Sequence, residues 1–502
     1  MIVMKFGGSS LESASGIEQA ASIVKGHLDR KPVVVVSAMG KTTDRLLDAA
    51  RSAARGESYS ARQHIEALRR MHFTETRVLL GQRAEPFLRD SIAPMFRDLQ
   101  VLLAELKDGR RFTPEIQDEV LSYGERISSL IVAEAFRHME IHAAQVDARK
   151  LIVTEEQFTH ATPLYWDTYA RLRRTVALVA RDRVVVMGGF IGATRGGVTT
   201  TLGRGGSDLT ASLVGAGISA DEIQIWTDVD GMLSCDPRVL AGGCRLREIS
   251  YQEAREMARF GARVLHPDSV APALRQRIPI VIRNARHPEV EGTRVVSKVQ
   301  SAPGIVKCLT SKAGMAVVHL RVKNQGMLSS ITDGLADLFE REHVAVDLIQ
   351  AREQGISFAV GNWPGLSEVL RQVDESVEIA VEEDQAAIWL VGEGIAGAVE
   401  PTLARVREAL HETDVRLTSH GSSSLSLGFV VRETDLRMAM EALHREFFAN
   451  PDGQIFAVQD TTWHIPTGAA ARDLPRHPMG YGQAQLQAQL QAHLQAHLQE
   501  RA

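Results

Sequence analysis

Cysteine is scarce: three in 502 residues. Three thiols cannot make a disulfide framework, and Cys235, Cys244 and Cys308 lack metal-site spacing, so a reducing cytoplasmic setting is expected. Aromatic residues reach only 5%, and neither charge sign dominates: 57 Lys and Arg stand against 62 Asp and Glu, a net charge of −5. That balance excludes a strongly basic nucleic-acid binder as the default reading. No apolar run approaches the ~18 residues needed to span a bilayer, so no membrane partner is expected. The opening Met1-Ile2-Val3-Met4-Lys5-Phe6-Gly7-Gly8 has no charged segment followed by a longer apolar one, which argues against a secretory leader. What is present, 44% apolar and 24% charged residues, is ordinary for a globular protein, and the length predicts about three domains.

Residues 1–300 alternate apolar, strand-like runs with helical spacing. Ile2–Phe6 is a short apolar run, and Leu11–Gly26 carries helical periodicity. Val33–Val36 is an unbroken β-branched run, suited to a central parallel strand covered on both faces. Thr113-Pro114-Glu115 predicts a helix start, with Thr as cap and Pro at the first helical position; the helix runs to about Met139. Val184–Met187 and Ile223–Thr227 predict further strands, with a helix from about Asp208. This is the grammar of an α/β domain with a mostly parallel sheet sandwiched by helices. From about residue 313 two short α+β segments follow in tandem, over 313–380 and 385–450, which suggests a duplicated small domain. Residues 463–502 form a Gln/Ala/Leu-rich tail, whose Leu spacing of four drifts around a helix and makes no sustained stripe.

Several clusters point to chemistry. Met39-Gly40-Lys41-Thr42 imitates the end of a P-loop, but the glycine that loop needs five residues before Gly40 is Val35. Lys5-Phe6-Gly7-Gly8-Ser9-Ser10 ends a strand in a glycine turn, and Ser9 with Glu12 has capping-box spacing. Such a turn reads either as a phosphate site beside a lysine or as a structural turn with a solvated lysine. Thr199–Asp208, preceded by Gly188–Gly192, surrounds Arg204 and Asp208 with glycines and hydroxyls; the amides suit an anion, Arg204 a carboxylate, and Ser207 can cap the next helix. Trp226–Met232 and Asp236-Pro237-Arg238 present acids and an Arg after a strand. Ser122-Tyr123-Gly124-Glu125-Arg126 puts Gly inside a long helix, at ~1 kcal/mol relative to Ala, so a packed neighbour or a ligand should need the space. Glu125 could meet an ammonium group.

Together these motifs resemble the aspartate kinase family of the amino-acid-kinase superfamily. The resemblance covers about residues 1–460 and includes Phe260-Gly261-Ala262-Arg263-Val264-Leu265-His266-Pro267. It implies an amino-acid-kinase-like sheet followed by two ACT units that bind a regulatory amino acid. The second unit is commonly inserted in the first, which would return Gln454–Val458, within 454–460, to the first sheet. The implied reaction moves the γ-phosphoryl group of ATP to the side-chain carboxylate of L-aspartate. The product, 4-phospho-L-aspartate, opens lysine, methionine and threonine synthesis. Lys5 and Asp208 are the implied catalytic pair. Lys5, Gly7, Gly8, Thr227, Asp228, Leu233, Asp236, Arg238 and Arg263 are assigned to ATP. Thr43, Glu125, Phe190, Arg204, Ser207 and Asp208 are assigned to aspartate, with Arg204 on the α-carboxylate. Mg²⁺ is carried by ATP, with no ligand set assigned to the protein.

The chain departs from the family pattern in places. Ser9-Ser10 stands for Thr-Ser, Leu233 where relatives carry Tyr, and Arg263 where Lys is common. Arg and Lys are not equivalent at a phosphate, so nucleotide affinity is the property in question. By the same resemblance, Met327, Leu328, Ser329, Val346, Asp347 and Leu348 form the effector site. The pattern most resembles the lysine-inhibited subgroup, but Arg352 in Gln350-Ala351-Arg352-Glu353 is unfavourable near a lysine ammonium, which leaves threonine or no effector open. A homo-oligomer, a dimer or dimer of dimers through the ACT units, is implied. Competing readings are an amino-acid sensor with a dead kinase fold, which Lys5, Arg204 and Asp208 oppose, and a glutamate or acetylglutamate kinase, which lacks tandem ACT units.

Overall fold

The computed structural model describes residues 1–107, 111–260, 267–299, 304–322, 335, 338, 339, 341, 342, 344, 346–352, 355–361, 365–373, 377–420 and 424–457. They divide into two compact units. The first comprises Met1–Met232, Arg245–Ala258 and Arg263–Val299; the second comprises Leu233–Cys244, Arg259–Ala262 and Gln300–Ala502. Among the described residues no helix is long and apolar enough to cross a membrane.

The strands of the first unit are β1 (Ile2–Phe6), β2 (Pro32–Val36), β3 (Ala143–Val146), β4 (Val153–Thr154), β5 (Val184–Gly188), β6 (Ile191–Thr194), β7 (Thr199–Thr201), β8 (Glu222–Thr227), β9 (Arg245–Leu246), β10 (Glu248–Ser250), β11 (Ile280–Asn284) and β12 (Thr293–Val296). Eight form one sheet in the order β10-β12-β11-β8-β1-β2-β5-β3, parallel throughout except between β11 and β12. β1 lies at the middle, with Phe6 opposite Val36 on one side and Trp226 on the other. The valine run of β2 is fully buried, as a strand covered on both faces must be.

Among the described residues the first eight α-helices of the chain are α1 (Ala14–Lys25), α2 (Thr42–Ala54), α3 (Ser58–Leu80), α4 (Ala84–Phe87), α5 (Ala93–Lys107), α6 (Pro114–His138), α7 (Tyr165–Val179) and α8 (Gly206–Ile218). One core joins Ile2, Met4 and Phe6 of β1 and Val34 and Val36 of β2 to Ile17 of α1, Leu99 of α5 and Ile131 of α6. Val33 and Val35 alternate to the opposite face, where α8 packs on β1 and β2. α6 begins as its sequence predicts: Thr113 caps it, accepting from the Ile116 amide at 3.3 Å, and Pro114 opens it. α1 differs from expectation. It starts at Ala14, not at Ser9, because Ser13 takes the cap by accepting from the Gly16 amide at 3.2 Å. Gly8–Ser10 instead makes a single 3-10 turn.

The second unit is built on two 15-residue strands, β13 (Cys308–Val322) and β16 (Val377–Val391), paired antiparallel from Cys308 opposite Val391 to Val322 opposite Val377. With β14 (Val346–Arg352), β15 (Gly355–Gly361), β17 (Leu417–His420) and β18 (Ser426–Arg432) they form a six-stranded antiparallel sheet, β14-β15-β13-β16-β18-β17. A bulge between Lys312 and Val317 divides the long pair. On one side Met315–Arg321 pairs with β15; on the other Ala387–Val391 pairs with β18. Each long strand thus serves both halves. The boundary expected between 380 and 385 falls inside β16, and β13 starts at Cys308, ahead of 313.

Over its described residues, 454–457, the expected return of Gln454–Val458 to the first sheet is not observed. Met315–Arg321 already has β15 on one edge and β16 on the other, so no edge is left there. The strand β19 (Phe456–Ala457) belongs to no part of the six-stranded sheet. Helices Val399–Ala409 and Leu436–Phe448 accompany the β18 half of the sheet. Trp389 of β16 stacks on Phe260 at 4.4 Å, and both rings are fully buried. Residues 323–334 of the first repeat, and the tail 463–502, lie outside the described residues.

Candidate active site

The carboxyl ends of β1, β2, β5 and β8 meet at one edge of the sheet, and β1, with β2 and β8 on either side, is its topological switch point. The loops leaving these strands hook onto the neighbouring strand. The Gly7 amide donates to Trp226 O at 3.1 Å, the Ser37 amide to Phe6 O at 3.1 Å, and the Gly189 amide to Val36 O at 2.8 Å. The Gly40 amide donates to Gly8 O at 3.0 Å, so the loop that imitates a P-loop spends this amide on the neighbouring turn.

Lys5, Gly8, Thr43, Glu125, Phe190, Ser207 and Asp208 line one cavity of about 330 Å³, a size that suits a small metabolite. Lys5 Nζ stands 2.7 Å from Asp208 Oδ1, with both side chains largely buried. Asp208 is in the first turn of α8, where helix amides favour negative charge. Gly205, at φ +71°, caps that helix with backbone alone; Ser207 lies inside the first turn and is not the cap.

Glu125 enters from α6 and is 3% exposed. Its Oε1 accepts from the Ala38 amide at 3.1 Å, while Oε2 has no hydrogen-bond partner among the described residues. Burial pushes its carboxyl up to about 8, against the pull of the Ala38 amide. Gly124 resolves the question its sequence position raises. A Cβ there would lie 2.9 Å from that of Ala38, so the glycine lets α6 approach the loop after β2. Phe190 adopts φ +63°, an uncommon state for a bulky residue. It is held by its amide donating to Thr210 Oγ1 at 3.0 Å and its carbonyl accepting from the Leu202 amide at 2.9 Å. Strain of this kind concentrates at functional sites.

Other expected residues fall elsewhere. Arg204 is exposed, makes no ion pair with another described residue, and does not line the cavity. Gly7 sits beside it at the end of β1, its Cβ position 3.8 Å from Lys5 Nζ. Thr227 ends β8 and Asp228 follows it, the Thr227 hydroxyl donating to Asp228 Oδ1 at 3.1 Å. Leu233, Asp236 and Arg238 belong to the second unit, where Arg238 Nε donates to Asp236 Oδ1 at 2.9 Å. Arg263 lies outside the described residues, as do Met327, Leu328 and Ser329. Of the expected effector residues, Val346 opens β14, Leu348 packs on Gly428, and Asp347 is taken by the Lys312 ammonium at 2.6 Å. Ser37, Ala38, Gly40, Gly203 and Gly206 also line the cavity. They contribute backbone and small side chains, which carry little chemical signal in sequence, although Gly40, Gly203 and Gly206 lie within the motifs already quoted. Among the described residues no cluster of three or more His, Cys, Asp or Glu could cage a metal ion.

The amino acid kinase family model matches residues 1–284, and an ACT domain model matches 388–447. Lysine-sensitive aspartokinase 3 of Escherichia coli is 31% identical over 464 residues, covering 89% of this chain and 99% of that protein. The chain belongs to the aspartokinases. Aspartokinase 3 of Bacillus subtilis is also 31% identical, covering 89% of this chain and 99% of its own. The crystal structure of E. coli aspartokinase III in complex with aspartate and ADP superposes with a TM-score of 0.75 at 29% identity, covering 89% of this chain and 100% of that one. An aspartokinase fold accounts for both the parallel sheet of the first unit and the antiparallel sheet of the second.

Proposed function

We propose that this aspartokinase transfers the γ-phosphoryl group of ATP to the side-chain carboxylate of L-aspartate, giving 4-phospho-L-aspartate for lysine, methionine and threonine synthesis. The observation that carries the reading is the shared cavity: a buried Lys5–Asp208 pair at 2.7 Å faces a buried carboxylate, Glu125, with one oxygen unused. The attacking carboxylate of aspartate is already an anion at neutral pH, so the site needs no general base for it. Its task is positioning and charge neutralisation during an in-line transfer. Lys5 offsets charge on the moving phosphoryl group, with Asp208 holding the ammonium in place. The Gly8 amide and those of the first turn of α8 add fixed partial positive charge, the Gly7 amide being spent on Trp226 O. Glu125 takes the aspartate ammonium, and Thr43, Phe190 and Ser207 shape the pocket around it. Arg204, exposed and without an ion-pair partner among the described residues, swings onto the α-carboxylate as a bidentate fork. Thr227 and Asp228 serve the nucleotide; roles there for Leu233, Asp236, Arg238 and Arg263 rest on their motifs. Mg²⁺ enters on the triphosphate, and no step is assigned to a metal held by the protein.

The second unit makes the enzyme answerable to an amino acid. Support comes from the ACT match and from a lysine-sensitive relative, which make lysine the first effector to test. A cytoplasmic homo-oligomer joined through the ACT units completes the reading. A coupled ADP-release assay with aspartate, glutamate and N-acetylglutamate tests the reaction. Turnover confined to aspartate is expected, and turnover on either other acid in preference to it overturns the assignment.

A further inference from the structure

Asp118, fully buried in α6, does nothing in the scheme above, yet it has three donors. Its Oδ2 accepts from the Thr159 amide at 2.8 Å and the Thr201 amide at 2.8 Å, and its Oδ1 accepts from Thr201 Oγ1 at 2.6 Å. Both segments it grips lead to the cavity. Thr201 ends β7 two residues before Gly203, a lining residue. Thr159 stands at φ +69°, a left-handed state that a β-branched side chain seldom adopts. A Cβ on Gly203 would lie 3.2 Å from Thr159 O and 3.2 Å from the Cβ of His160, so the strained turn is the wall against which the Gly203 loop rests.

We propose that Asp118 is a positioning residue for aspartate binding: it fixes the strained Thr159 turn and the end of β7, and so sets where the Gly203–Asp208 loop and its Arg204 stand. Asp118 and Glu125 are seven residues apart on α6, two turns, and therefore on one face. Through Glu125 that face holds the Ala38 amide of the loop after β2; through Asp118 it holds the strand that delivers Arg204. One helix thereby spaces two walls of the cavity. The charge on Asp118 matters less than its acceptors, because one oxygen serves both amides. An Asn oxygen placed there keeps both, and its NH₂ can donate to the Thr201 hydroxyl once that rotates.

The inference rests on the aspartate-site reading, so it has a readout without substrate. In Asp118→Ala, amide hydrogen exchange over residues 155–162 and 200–208 should quicken, and KM for aspartate should rise at least tenfold with KM for ATP changed less than threefold. Asp118→Asn should stay within about threefold of wild type in both. Adding Thr159→Gly to Asp118→Ala should recover part of the lost affinity, since glycine adopts this backbone without the amide bond. A merely structural role would lower the melting temperature and leave both KM values alone. That result, or unchanged exchange in a folded Asp118→Ala, overturns the proposal. If Asp118→Ala does not fold, Thr201→Val replaces it: a KM for aspartate raised about threefold supports the proposal, and an unchanged one overturns it. A wild-type enzyme inert toward aspartate but with exchange altered by Asp118→Ala would sink the function reading alone.

Discussion

At the scale of single residues, Lys5 and Glu125 carry the strongest expectations. Lys5→Ala should lose ~10²–10³ in kcat while KM for ATP and aspartate moves far less, because the ammonium acts where charge develops in transfer. Steady-state kinetics check this, and near-normal turnover would remove Lys5 from the chemistry. Glu125 makes a pH prediction. Its folded pKa, near 8, lies above the ordinary 4.5, so the folded protein holds a proton that the unfolded chain has released between those values. Its contribution to stability is therefore greatest below pH 4.5 and declines as pH rises through 8. Glu125→Gln should gain melting temperature relative to wild type across that window, yet raise KM for aspartate tenfold or more by removing the anion. The same titration predicts that aspartate affinity of the wild type improves as pH approaches 8, a trend absent in Glu125→Gln. That Lys5 and Glu125 belong at one site was legible in sequence because both sit in dense motifs. The exposed position of Arg204 was not legible, since a glycine-rich loop does not fix in sequence where its one long side chain lies.

Elements translate those residues into geometry. α6 shows most clearly what patterning can and cannot say. Thr113-Pro114 marked its start, and its length followed from periodicity. Its interior glycine has no local explanation, because the partner that needs the space, Ala38, lies 86 residues earlier in the loop after β2. Gly124→Val should displace the loop after β2, raise KM for aspartate and lower the melting temperature, despite relieving the helix of a glycine; crystallography and kinetics together check it. The start of α1 went the other way: Ser9 and Glu12 had the right spacing, but Ser13 takes the cap, and the Gly8–Ser10 turn is held by the loop after β2, whose Gly40 amide donates to Gly8 O. In α3, His72 is fully buried with Nδ1 bonded to Leu68 O at 2.8 Å, and burial depresses its pKa to about 4 from 6.5. The unfolded chain binds a proton there before the folded one does, so stability falls as pH drops from 6.5 toward 4. His72→Leu should flatten that limb of the melting-temperature profile, and an unchanged slope would show that other groups set it.

For the whole molecule, the first unit was the more legible because a parallel sheet announces itself in unbroken β-branched strands such as Val33–Val36. The second was harder. Two repeats could be counted, but not that β13 and β16 each run through both, since a bulge between Lys312 and Val317 has no strong sequence mark. Regulation belongs at this scale. Millimolar lysine should reduce activity of the full chain, and sedimentation should show a dimer or larger; a monomer indifferent to lysine, threonine and methionine would refute the regulatory reading and leave the kinase standing. The long shared strands also bear on how such a protein can be dissected. A fragment cut to the matched span 388–447 would lose Cys308–Ser311 and leave one edge of β16 open over Ile388–Val391, with its amides and carbonyls bare to water. Such an excised piece should aggregate or swap strands with its own copies. A fragment that begins ahead of Cys308 keeps the edge closed, so the two regulatory repeats are separable on paper but inherited, expressed and unfolded as one piece.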